Sequence, residues 1–117
     1  MTADAATDRK VRLAARAALD RKAVDLVVLD VQGLSSVTDF FVVCSGRSTT
    51  HLASIADAVR AALKVEARLL HAEGTPESGW TLLDYGDVLV HVFLEETRAY
   101  YALERLWGDA PSVPLER

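Results

Sequence analysis

Between about Asp8 and Arg21, the apolar residues Val11, Ala14, Ala15, Ala18 and Leu19 recur at helical spacing, which predicts a first helix with Thr7 placed to cap its opening amides. On the other side Arg9, Arg12 and Arg16 stand three and four apart and line up as a charged stripe of the kind a solvated helix face carries. The period then shortens. Leu26 to Leu29 and Phe40 to Cys44 are continuous apolar runs rich in β-branched and aromatic residues, the signature of strands buried on both faces. The link from Val31 to Asp39 is too short for a helical crossover, so the two strands should be antiparallel neighbours. After Ser45-Gly46 a period of 3.6 returns: Leu52, Ile55, Ala56, Val59 and Leu63 form one stripe, with Ser48, Thr49 and Thr50 offering cap oxygens to a central helix.

A third strand is expected near Ala67 to Ala72, completing a right-handed strand, helix, strand unit with parallel strands. Glu73 to Gly79, with Thr75-Pro76 and two glycines, reads as a turn-rich loop. Trp80 to Asp84 and Val88 to Leu94 read as strands four and five of a hairpin, joined through Tyr85-Gly86-Asp87, where Gly86 supplies the positive φ of a tight turn. Thr97 to Trp107 carries Tyr100, Leu103, Leu106 and Trp107 at helical spacing; Gly108 stops that helix, and Pro111 and Pro114 make the tail irregular. The sum is one α+β domain with a mixed five-stranded sheet flanked by helices. Residues 1–23 are its N-terminal helical segment, 24–108 its core and 109–117 its tail.

Composition narrows the function classes. A chain of 117 residues supports one hydrophobic core. No apolar run approaches the roughly 20 residues that cross a bilayer, and the N-terminus lacks a signal-peptide core, which together point to the cytosol and away from membranes. The single Cys44 cannot form an internal disulfide, in keeping with a reducing compartment. Seventeen acidic against thirteen basic side chains give a net charge of −4, the wrong sign for gripping a phosphate backbone over a broad face and a better match to a basic protein partner.

Catalytic and metal chemistry find little support. Cys44 to Thr49 lies where a strand turns into a helix and could hold an anion on free amides, but it lacks the spacing of a phosphate loop, and its hydroxyls serve equally well as caps. Cys44 reads as a small core residue rather than a nucleophile activated by His51. His51, His71 and His91 fall on three separate elements without metal-ligand spacing, and His91, inside VLVHVFL, reads as a hydrogen-bonded interior histidine. Asp84 and Asp87 flank the hairpin turn and Glu95 and Glu96 close the last strand; these carboxylates suit electrostatic docking to Lys and Arg on a partner. Trp80, directly after Gly79, and Tyr85, at the turn tip, are aromatic anchor candidates. Strict alternation sends positions five apart to opposite faces, so these two share an interface only if the turn redirects Tyr85.

The segments DVQGLSSVTDFFVVCSGRSTTHLASIADAV and GWTLLDYGDVLVHVFLEETRAYYALERLW closely resemble the ribosomal silencing factor (RsfS, or iojap) family, over about Val24 to Trp107. Ser54-Ile55-Ala56-Asp57, Gly86-Asp87-Val88 and Leu103-Glu104 are among the separated strings that agree in order. The resemblance implies a nucleotidyltransferase-like architecture without its catalysis, and no Asp-x-Asp pair stands on a candidate strand. It further implies a non-enzymatic translational repressor without a cofactor. Such a repressor binds the fourteenth protein of the large ribosomal subunit, blocks joining of the small subunit when nutrients are scarce, and forms homodimers when free. By position, Trp80 matches an aromatic contact residue, Tyr85 a contact position that is often Leu, and Glu95 and Glu96 the acidic pair before the last helix. The competing expectation is a nucleotide-binding or nucleotidyltransferase-like enzyme using the turn at residues 46–50.

Overall fold

The computed structural model describes residues 5–34, 36, 38–97, 112 and 113. Its elements are α1 (Ala5–Asp20), β1 (Val24–Asp30), β2 (Phe40–Gly46), α2 (Thr49–Leu63), β3 (His71–Thr75), a 3-10 turn (Pro76–Ser78), β4 (Trp80–Asp84) and β5 (Val88–Leu94). They form a single α+β domain whose mixed sheet has the order β1-β2-β5-β4-β3. Most of the helix expected over Thr97 to Trp107 lies outside the described residues, although residues 95–97 are already helical.

Strand β2 is wholly buried because it lies between β1, antiparallel, and β5, parallel, and is covered on both faces. Alternation divides its side chains between two cores. Phe40, Val42 and Cys44 meet Val88, Val90 and Val92 of β5 under Val11, Ala14 and Ala18 of α1 and Leu52, Ile55, Val59 and Leu63 of α2. Phe41 and Val43 face the other way and join Leu29, Val31 and Phe93. The antiparallel pairing of β1 with β2 and the β4–β5 hairpin are as expected, and Gly86 closes the hairpin at φ 89°. The first strand is longer than its apolar run. It bends at a bulge between Val24 and Val27, where Asp25 adopts φ 50°, a conformation that a short polar side chain tolerates.

Two expectations are corrected. The strand after α2 is β3, which pairs antiparallel with β4 at the sheet's far edge; the parallel partner of β2 is β5, reached only after the β3–β4 hairpin. Glu73 to Thr75, expected in a loop, belong to this strand. All five residues of β3 are exposed, and HAEGT carries no apolar alternation, so a strand held by backbone pairing alone left no hydrophobic signal. The hairpin turns through Pro76–Ser78, where Thr75 and Ser78 cap one another, and Gly79 exits in the left-handed region.

Thr7 is likewise not a cap. Helix α1 begins at Ala5, and the Thr7 hydroxyl donates to Asp87 Oδ2, while Lys10 Nζ lies 2.9 Å from Asp87 Oδ1. Asp87 therefore ties α1 to the β4–β5 turn through a largely buried pair. Replacing Asp87 with Ala should destabilise the fold by about 1.5–3 kcal/mol, the worth of hydrogen bonds to a charged group. An unshifted urea midpoint would remove that tie from the account of stability. At α2, Ser48 is the cap, its Oγ accepting from the His51 amide at 3.0 Å. Gly46 has to be glycine because a Cβ there would stand 2.8 Å from the Leu52 amide nitrogen.

Candidate functional site

Strand alternation and register decide which candidate residues share a surface. Trp80, Leu82 and Asp84 point to the sheet face away from α1 and α2, whereas Thr81, Leu83 and Tyr85 point toward the helices. Trp80 is half-buried and packs on the second core. It pairs with Phe93 in register, which makes it a diagonal neighbour of His91 on the same face. Its indole Nε1 donates to His91 Nδ1 at 3.2 Å, and the rings stack at 6.3 Å. His91 is itself clasped, parallel to Phe93 at 6.0 Å and edge-on to Phe41 at 5.3 Å. Burial holds this imidazole neutral, with its pKa lowered from 6.5 to about 4. Accepting at Nδ1 places the ring proton on Nε2. The interior reading of His91 stands, and its specific task is to fix the orientation of Trp80.

Glu95 and Glu96 follow the end of β5, near which the Leu94 amide bonds the Gly79 carbonyl at 3.0 Å, so both carboxylates and Trp80 occupy the same end of the hairpin. Both are exposed, and with Arg47, Ser48 and Thr49 they line an open cleft of about 420 Å3 at the start of α2. Arg47 Nε stands 3.9 Å from Glu95 Oε1. This cleft contains the 46–50 turn of the enzyme alternative. Two carboxylates at its rim oppose an anionic ligand, and the cap satisfies amides such a ligand would need: the His51 amide bonds the Ser48 hydroxyl, the Arg47 amide bonds His51 Nδ1, and the Leu52 amide bonds the Ser48 carbonyl.

Asp84 and Tyr85 lie at the opposite end of the hairpin. Asp84 Oδ1 accepts from the Gly86 amide at 2.7 Å, a local turn-forming bond. Tyr85, expected at an exposed tip, is instead 5% exposed and packs in the core beneath the helices. The turn does not redirect it, because the Tyr85 amide still bonds the Val88 carbonyl at 2.9 Å and strand alternation continues one residue beyond β4. Trp80 and Tyr85 thus occupy different faces.

The remaining candidates have structural roles. Cys44 is fully buried in the helical-face core. His51 bonds the Arg21 carbonyl through Nε2 at 2.7 Å, and His71 pairs with Glu73 at 2.8 Å. Arg9 pairs with Glu66 and Arg12 with Asp8, so their helix face is solvated and salt-bridged. Among the described residues no three His, Cys, Asp or Glu side chains are gathered as metal ligands, and no described helix is long and apolar enough to cross a membrane. The composition pattern carried no sign of the Trp80–His91 bond, but the hairpin register implied it once the turn at Gly86 was placed.

Residues 4–117 match the family described as "Ribosomal silencing factor during starvation". The chain belongs to this family. It is 42% identical to the ribosomal silencing factor RsfS of Halalkalibacterium halodurans over 91% of this chain and 92% of the relative. Its identity to the RsfS of Bacillus subtilis is 41%, covering 91% of each chain. The fold superposes on a crystal structure of a Chromobacterium violaceum protein with a TM-score of 0.83 at 35% identity, covering 86% of this chain and 85% of that one. RsfS relatives are named as silencing factors rather than as enzymes.

Proposed function

We propose that this RsfS-family protein silences translation by occupying space on the large ribosomal subunit. It docks on that subunit's fourteenth protein and keeps the small subunit from joining, most of all when nutrients are limiting. The mechanism is steric, proceeds in the cytosol, and calls for no turnover and no cofactor. The observation that carries this reading is the end of the β4–β5 hairpin, where an aromatic ring held in one orientation by His91 shares that end with the exposed carboxylates of Glu95 and Glu96, two and three residues past its register partner Phe93. A pre-oriented indole loses little conformational freedom on binding, and neighbouring negative charge steers a basic partner and fixes its register. Asp84 shares the Trp80 face about 13 Å along the strand and extends the acidic rim. Tyr85 is not part of this surface, because its ring packs under the helices on the other face of the sheet.

The deciding experiment is co-sedimentation with separated ribosomal subunits: the protein should travel with the large subunit and leave the small one unbound. Trp80→Ala should weaken capture of the purified fourteenth protein by at least about 1–2 kcal/mol, roughly tenfold. Unchanged capture by a folded variant would remove Trp80 from the surface. The family resemblance also supports a homodimer of the free protein, and the edge of β3, uncovered among the described residues, offers one place for two copies to pair.

A further inference from the structure

Beside the last turn of α2 the surface sinks into an open cleft of about 580 Å3 with Tyr85 in its wall. Arg60 and Lys64 reach it from successive turns of the helix end, and Arg68 from the segment that follows, so three cationic side chains line one opening. All three are exposed, and among the described residues none forms an ion pair, in contrast to Arg9, Lys10 and Arg12.

Tyr85 supplies an independent observation. Its ring is buried at 5% exposure, yet its hydroxyl has no hydrogen-bond partner among the described residues and is not sealed from the cleft. Burial raises the phenol's pKa above its ordinary value, with the nearby Arg60 charge pulling the other way, so at neutral pH the group is a protonated donor facing a guanidinium. The cleft is thus furnished with donors: two guanidinium forks, an ammonium and a hydroxyl. Such a set matches a ligand made of acceptor oxygens carrying negative charge, and guanidinium geometry suits phosphate in particular. The negative end of the helix dipole accounts for cations at Arg60 and Lys64, but not for Arg68 in the following segment or for an unpaired hydroxyl in a buried ring.

We infer that this cleft is a second contact to the large subunit, taking the phosphodiester backbone of ribosomal RNA. The inference rests on the docking reading above. An opening that is broad rather than enclosed suits a strand of successive phosphates, and the net charge of −4 confines such a contact to a local patch. Tyr85 lies on the opposite sheet face from Trp80 and about 17 Å along the hairpin, so the protein would touch subunit protein on one flank and RNA on another.

The test uses the full chain, purified large subunits, the isolated fourteenth protein and a short RNA duplex, across a salt series. The triple variant Arg60→Ala, Lys64→Ala, Arg68→Ala should bind subunits at least tenfold more weakly at about 0.1 M salt. Its log affinity should fall less steeply with log salt, by about two to three units for three lost phosphate contacts. Tyr85→Phe, which keeps the buried ring, should weaken subunit and duplex binding two- to fivefold, and both variants should capture the isolated protein as the parent does. Unchanged subunit affinity and salt slope in a folded triple variant would overturn the inference. So would an equal loss on the isolated protein, which would make the cleft a protein contact. Equal displacement of the duplex by inorganic phosphate at constant ionic strength would do the same, reducing the cleft to a free-anion site. If the parent ignores the fourteenth protein yet binds the duplex through these cations, the docking reading fails and the phosphate contact survives.

Discussion

Lowering the pH from about 7 to about 4 should cost the folded protein on the order of 3 kcal/mol through His91 alone, given a pKa lowered from 6.5 to about 4. In the unfolded chain this imidazole takes up a proton near its ordinary value, whereas the aromatic cage of Trp80, Phe41 and Phe93 keeps it neutral to much lower pH. Between the two values the unfolded state binds the extra proton. Stability that is complete above pH 6.5 is therefore lost progressively as the pH falls toward 4. Carboxylates contribute to acid unfolding as well, so the measurement is a comparison: urea unfolding at about pH 7 and pH 4.5 for the parent and for His91→Phe. The variant's curve should be flatter by most of that amount, and two curves of the same slope would show that His91 is not the group responsible. Protonating Nδ1 also removes the acceptor for Trp80 Nε1, so tryptophan emission should change along with stability.

A loss of comparable or larger size is expected from Phe40→Ala, about 3–5 kcal/mol. Phe40 is fully buried at the start of β2, and its backbone pairs with Asp30 on one side and Val88 on the other. Deleting the ring leaves a cavity between the sheet and the helices packed on it, which closes only if α1 and α2 shift toward β2. Domains of this size are commonly stable by only 5–15 kcal/mol, so the variant should unfold at markedly lower urea with an unchanged slope. A shift worth less than about 1 kcal/mol would mean that the helices collapse into the space and that the core is more plastic than its packing indicates.

How much of this was legible in the sequence depends on what each segment buries. Leu52 to Leu63 and Val88 to Leu94 bury apolar side chains at a fixed period, and the turn at Gly86 needs a left-handed residue, so α2, β5 and the β4–β5 hairpin could be placed from pattern alone. Strand β3 buries nothing and is specified by its pairing with β4, an interaction that composition does not encode; hence its displacement from a parallel neighbour of β2 to the antiparallel far edge. Within the candidate site, Trp80, Glu95 and Glu96 could be grouped because they lie close along one hairpin. Tyr85 was misplaced because a residue next to a turn glycine looks exposed, while its extended backbone carries alternation one position past the strand and drives the ring inward. The cleft of Arg60, Lys64 and Arg68 was hidden for a different reason: overall charge averages away a local cluster.

The two borders of the sheet differ. Along β1, Ser112 forms a bridge with Leu29 and the Val113 amide bonds the Val28 carbonyl at 2.8 Å, so that border is already occupied by the chain's own later residues. The border at β3 has no such cover among the described residues. Among the described residues one rim is vacant, so two copies joined rim to rim would use it up on both and leave runaway fibre growth no second attachment point there.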